Sequence, residues 1–495
     1  MGQELGKSEP RPNAASWEKR VAYSPSEGIA YRPREVLVRT RDLKRALEAI
    51  AELFSVEVSI DGEVGGFTRL MGDFDPLVVS DELSADGIAA VPNAVLFAAA
   101  GDPTSDQSTV LTANPFTANP FTANPFTANP FTANPFTANP FTANPFGWGS
   151  YPANPMASHP CPFGVASALP KESTWARTGK RRSSARPGTS LPVPVLGPQQ
   201  KAQAADDAPV VAILDTGFAL AGYRPDAEFL PGVLSDADAA ALLPGLIDAG
   251  DADDPDLDDD KFLDPVAGHG TFIAGLVARY APHCKVCVVK VVSNLGDVDA
   301  FEVAKALEGL VGKVDFVNLS FSGYVGKREI GPVASVIRTL QRTPGPRGAK
   351  APKDTPLRER ATVVVASAGN DSTWCPSYPA ALPGVVSVGA IGPDGPAPFT
   401  NFGPWVRACA PGVELVSTFF TGFNGPAAAV DGLPDPDRFT GWARWSGTSF
   451  SAPVVAARLA REVQLTGCTP VQAVARLIDA PGLGAIPNLG TVVNP

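Results

Sequence analysis

The stretch APVVAILDTG, Ala208 to Gly217, runs through five unbroken apolar residues, Val210 to Leu214, and stops at Asp215, Thr216 and Gly217. A strand that is apolar at every position is buried on both faces, which belongs to a parallel sheet with helices on either side. The residues downstream keep the same rhythm. GTFIAGLVARY (270–280), AFEVAKALEGL (300–310) and VASVIRTLQR (333–342) read as helices, while CKVCVVKVV (284–292), VDFVNLSFSG (314–323) and ATVVVASAGN (361–370) read as strands. Such alternation predicts a doubly wound α/β domain with a mostly parallel sheet and helices on both faces. In these sheets chemistry collects beyond the carboxyl ends of the strands, so Asp215 is a candidate functional carboxylate as well as a turn former.

Three further segments supply chemistry. His269 stands between Gly268 and Gly270 at the mouth of an apolar helix, where its ring is little screened by neighbours. In WSGTSFSAPVVAARLA (445–460), Ser449 precedes a small, smooth apolar face, which places it at the amino end of a buried helix. Unpaired N–H groups and the positive end of the helix dipole favour negative charge there, although Ser and Thr also serve as plain helix caps. Asn370 closes the strand VVVASAGN and offers a neutral amide donor suited to an oxyanion.

The segments AILDTG, GHGTFIAGLV, NLSFSG, SAGND and GTSFSAP occur in that order between about 208 and 485, and together they resemble the subtilisin-like serine peptidases, the subtilases. The resemblance implies an Asp215, His269, Ser449 triad in which His269 is base and then acid and Ser449 is the nucleophile, with Asn370 and the Ser449 N–H as oxyanion donors. It also implies a substrate groove along Ser320, Phe321 and Ser322, faced by Ser293 to Gly296, and a first specificity pocket lined by Ser367, Ala368 and Gly369. Asp371 could bias the mouth of that pocket toward basic side chains, but it reads rather as a solvated loop residue. A competing reading makes the chain a scaffold with an inert peptidase fold.

Four regions are expected along the chain: a disordered 1–30, a small α+β domain at 31–101, a Pro-rich linker at 102–205, and the peptidase domain at 206–495. In the second, REVLVRT and SVEVSI read as strands around a helix DLKRALEAIAELF with Leu43, Leu47, Ile50 and Leu53 on one stripe. FDPLVVSD and GIAAVPNAVLFAAA read as strand-like. The β-α-β beginning and the close PNAVLF resemble the propeptide domains of subtilases. Roughly a hundred linker residues intervene, which predicts against a tail lying in the active site. The linker carries TANPF seven times from Thr112 to Phe146, a pattern that forbids continuous helix and offers repeated turns to a partner protein. The run GKRRSSARPG further on is a candidate self-processing site between Gly179 and Pro187.

A net charge of -11 argues against nucleic acid as a partner, leaving a protein or peptide substrate. The polar start and the lack of a long apolar run predict a cytoplasmic chain without a membrane partner. The six scattered cysteines read as buried free thiols; Cys284 and Cys287 are the sole CxxC, with side chains on opposite faces of a strand. DADDPDLDDDKF (251–262) is a candidate calcium loop, but it lacks the glycine and final glutamate of an EF-hand and reads as a solvated acidic loop. No cofactor is expected, and no Gly-rich phosphate loop is present. The basic stretch at 342–360 and the segment Thr421 to Arg438 are expected as surface insertions, the latter beside the site.

Overall fold

The computed structural model describes residues 20–24, 27–98, 207–247, 252–257, 259, 263–264, 266–326, 328–424 and 438–495, and the backbone at 186–187. The TANPF array, the run at 179–185 and much of the acidic loop lie outside the described residues, as does the middle of the insertion before Arg438.

The N-terminal unit consists of β1 (Ala22–Ser24), β2 (Ile29–Arg39), α1 (Leu43–Phe54), β3 (Val58–Val64), β4 (Phe67–Gly72), α2 (Pro76–Ala85) and β5 (Ala90–Phe97). Its sheet runs β3-β4-β2-β5, with β1 against β2. The expected disorder up to residue 30 is therefore wrong for residues 20–24 and 27–30, because Val21 and Ala30 bury against Val95 and Phe97. Ala46 and Ile50 of α1 face the core, whereas Leu53, expected on the same stripe, is 51% exposed. The segment read as strand-like around FDPLVVSD is helix α2. There Asp75 accepts the Leu77 N–H and Pro76 fills the first turn, where a missing N–H costs nothing, so capping outweighs the β preference of Val78 and Val79.

The second unit follows the short strand β6 (Arg186–Pro187). It contains β7 (Val210–Asp215), α3 (Asp236–Leu242), α4 (His269–Tyr280), β8 (Lys285–Lys290), β9 (Asp297–Asp299), α5 (Ala300–Leu310), β10 (Phe316–Leu319) and α6 (Pro332–Leu340). After α7 (Pro346–Ala349) come β11 (Val363–Ser367), β12 (Val386–Gly392), β13 (Gly395–Pro396), β14 (Ala408–Pro411), β15 (Leu415–Asn424) and β16 (Arg438–Trp445). Helices α8 (Thr448–Thr466) and α9 (Pro470–Leu477) and strands β17 (Ala485–Ile486) and β18 (Gly490–Val492) complete it. The main sheet runs β17-β18-β14-β12-β11-β10-β7-β8, and every neighbouring pair from β18 to β8 is parallel.

Alternation along the strands divides the core as the sequence implies. Val211 and Ile213 pack with α4 and α8, while Ala212 and Leu214 pack with α5 and α6. Full burial of Val454, Val455 and Leu459 on α8 stabilises this layer by about 1.5–3 kcal/mol per side chain. Cys284 and Cys287 lie on opposite sides of the sheet, and burial pushes both thiols up to about 12, as it does Cys409. Cys375 corrects the free-thiol expectation: it is disulfide-bonded, with a partner outside the described residues.

The two units share a sheet. β5 pairs antiparallel with β9 of the second unit, Val95 against Asp299 and Phe97 against Asp297. The long linker does not keep them apart, because closing a flexible loop costs only about 0.6 kcal/mol more for each doubling of its length.

Candidate active site

β7 ends at Asp215, and α4 begins at His269 directly above it. The His269 Nδ1 lies 2.7 Å from the Asp215 Oδ1, and both side chains are fully buried. The same oxygen accepts the Thr216 N–H at 2.8 Å. The helix can come this close because Gly270 has no side chain: a Cβ there would collide with the Gly217 carbonyl. Trp445 and Phe450 wall the imidazole, with ring centroids 5.4 and 5.2 Å away. Its Nε2 has no hydrogen-bond partner among the described residues.

Ser449 lies in the first turn of α8, buried as expected. Its hydroxyl donates to the Ser320 carbonyl at 3.1 Å rather than to His269. Pro453, four residues on, has no N–H to give the Ser449 carbonyl, and the Ser320 hydroxyl donates to it instead at 2.8 Å. Nucleophile and groove strand are thereby tied together. Asn370 stands beside them, its amide oxygen accepting both the N–H and the hydroxyl of Thr448 at 2.9 Å. Two donors on that oxygen fix the plane of the amide and turn its NH2 end away from Thr448.

The groove residues divide by face. Ser322 exchanges both backbone hydrogen bonds with Phe97, at 2.8 and 2.9 Å, and the Ala98 N–H donates to the Gly296 carbonyl at 2.9 Å. The groove is thus occupied by the end of the N-terminal unit, contrary to the expectation drawn from the linker. Phe321 points to the other side and shares an apolar cluster with Leu96 and Val298. Ser367 and Ala368 are buried, the Ala368 carbonyl accepting from Ser377 and Asn401, and Gly369 is held by Thr448. Asp371 is not a solvated loop residue, since the Tyr324 hydroxyl donates to it at 2.7 Å.

One functional neighbour escapes sequence reasoning. Asp253, assigned to a solvated acidic loop, is fully buried behind the triad. It accepts the Thr216 hydroxyl at 2.6 Å and the Gly268 N–H at 2.8 Å, joining the residue after Asp215 to the residue before His269. Burial raises its carboxyl to about 7, against the lowering pull of Lys290 and its two donors. Only an apolar flank would have marked it, and its flanks are acidic. Among the described residues no group of three or more His, Cys, Asp or Glu side chains is placed to hold a metal ion. No described helix is long and apolar enough to cross a membrane.

A model described as the subtilase family matches residues 206–480, more than half of the chain. The chain belongs to the subtilase family. Among curated subtilases it is 38% identical over 98 residues to the thermophilic serine proteinase of Bacillus sp. (strain AK1), covering 20% of each chain. To the subtilase-type proteinase RRT12 of Saccharomyces cerevisiae it is 30% identical over 207 residues, 38% of this chain and 34% of that one. The chain therefore spans a fifth and a third of the lengths of these two relatives. With subtilisin Savinase of Lederbergia lenta the identity is 26% over 235 residues, 44% of this chain and 71% of that one. Solved subtilases with a similar fold include fervidolysin from Fervidobacterium pennivorans, at a TM-score of 0.49 and 16% identity over 94% of this chain and 60% of that one. A cold adapted subtilisin-like serine proteinase gives 0.40 and 19%, over 59% of this chain and 91% of that one.

Proposed function

We propose that this subtilase is a serine endopeptidase acting on extended peptide segments, and that its own N-terminal unit holds it inactive. The 2.7 Å pairing of His269 with Asp215, at the foot of a groove that already binds a strand, carries the reading. Asp215 fixes the tautomer with its proton on Nδ1 and leaves Nε2 as the base. A turn of the Ser449 side chain away from Ser320 brings its hydroxyl to Nε2, which takes the proton as the oxygen attacks the peptide carbonyl. The Asn370 amide and the Ser449 N–H then bind the oxyanion, and the imidazolium returns the proton to the leaving amine. Backbone pairing to Ser322 and Gly296 supplies affinity with little demand on sequence.

A fluorophosphonate probe tests the reading. It should label the purified chain at Ser449 and fail to label Ser449→Ala, which should also lose peptide hydrolysis while keeping its melting temperature. A chain that stays unlabelled even when Arg32→Ala loosens the N-terminal unit would favour the scaffold reading. The polar start of the sequence favours the cytoplasm, whereas the Cys375 disulfide favours an oxidising compartment; alkylation of Cys375 in protein taken directly from cells without reductant decides between them.

A further inference from the structure

The groove edge that faces Ser322 is acidic. β9 carries Asp297 and Asp299 directly opposite Phe97 and Val95, and residues opposite each other in an antiparallel pair project to the same face. Arg32 reaches across this face from β2. Its Nη1 lies 2.7 Å from the Asp297 Oδ2 and its Nε 3.0 Å from the Asp299 Oδ2, while the Arg20 Nη2 lies 3.1 Å from the Asp297 Oδ2. The Asp297 side chain is fully buried and that of Arg32 is 12% exposed. Burial alone would raise the Asp297 carboxyl, but Arg32 and Arg20 overcome it and hold it below the usual carboxylate range.

The two carboxylates are positioned by their own unit. The Ser293 hydroxyl donates to the other oxygen of Asp297, and the Glu302 N–H donates to the Asp299 Oδ1 at 3.1 Å, capping α5. Each keeps one oxygen for a cation. Both cations belong to the N-terminal unit, so its departure strips the guanidinium from a site that stays behind, built and negatively charged.

We propose that Asp297 and Asp299 are a substrate subsite for an arginine or lysine side chain, and that Arg32 is its resident occupant until the N-terminal unit leaves. The inference rests on the peptidase reading and names the substrate class of that groove. Phe97 lies opposite Ser322, so the residue opposite Ser320, where the Ser449 hydroxyl sits, is two places further along a bound strand. A substrate side chain in the place of Phe97 is therefore the third before the cleaved bond, and it emerges beside Asp297. The fourth residue before the cleaved bond, in the place of Leu96, turns to the apolar cluster of Phe321 and Val298, which favours an apolar side chain there.

The full chain is assayed on two peptides that differ only in having Arg or Ala three residues before the cleaved bond. Wild type should show kcat/KM about tenfold higher for the Arg peptide, the difference residing in KM and shrinking in high salt. Asp297→Asn with Asp299→Asn, which keeps a capping side chain on α5, should bring the ratio below two; fluorophosphonate labelling checks that the variant is folded. Equal rates on both peptides in wild type overturn the subsite while leaving the peptidase intact. If neither peptide is cleaved and Ser449 takes no probe even in Arg32→Ala, where the N-terminal unit is loosened, the peptidase reading itself fails. The ratio of affinities of the two peptides for Ser449→Ala combined with Arg32→Ala, which takes the resident cation off the site and loosens the N-terminal unit, then decides the subsite without turnover: a tighter Arg peptide upholds it, and equal binding overturns it.

Discussion

Asp253 holds the catalytic loops in place by charge-assisted hydrogen bonds, and burial makes that charge expensive. Its carboxyl titrates near 7 in the folded chain, well above the 3.8 of an unstrained aspartate. The sign follows from linkage. A carboxyl raised on folding favours the folded state fully below about pH 4, and that contribution is lost as the pH climbs through about 7, a change on the order of a few kcal/mol. Asp253→Asn keeps an acceptor for Thr216 and Gly268 and cannot ionise. Subtracting its pH–stability curve from that of wild type should leave a difference that falls from pH 4 to pH 7 and is flat above; a level difference across that range refutes the assignment.

At the scale of elements, β5 decides what the groove meets first. With Ala98 bonded to Gly296 and Phe97 to Ser322, the groove position opposite Ser320, whose carbonyl accepts from Ser449, is two places after that of Phe97. Self-cleavage is therefore expected just beyond Ala98 rather than between Gly179 and Pro187, where Arg186 and Pro187 are paired with β16. Mass spectrometry of wild type beside Ser449→Ala checks this: the new terminus should appear in the first sample alone. The sequence made β7, α4, β11 and α8 legible because each carries an unbroken apolar run with a functional residue at one end, and β10 because a short apolar strand broken only by Asn318 leads into Ser320. It misread α2, where the cap at Asp75 and Pro76 outweighed two valines. It missed the acidic edge altogether, because Asp297 and Asp299 acquire meaning only across a strand some two hundred residues earlier, a pairing that no local pattern encodes. His269 and Asn370 were legible as residues, but the Thr448 hydroxyl that orients the amide was not.

Across the whole molecule, the two units are held together by β5–β9 and by the cluster of Arg20, Arg32, Asp297 and Asp299. Removing one partner from a buried ion pair is far costlier than the pair's net worth, typically about 3–5 kcal/mol, because the remaining charge is left without a counterpart. Arg32→Ala should therefore weaken docking of the N-terminal unit by on the order of a hundredfold or more. Its measure is the initial hydrolysis rate of freshly purified full-length chain, which should exceed that of wild type several-fold; an unchanged rate would show that β5 alone keeps the groove closed. The filled groove has one more consequence. An empty one is a bare sheet border, with Ser322 and Gly296 offering unpaired donors and acceptors to any extended chain, including a second copy of the same protein. By pairing that border, β5 also keeps newly made molecules from stacking on one another, so colloidal stability and catalytic silence are lost in the same event.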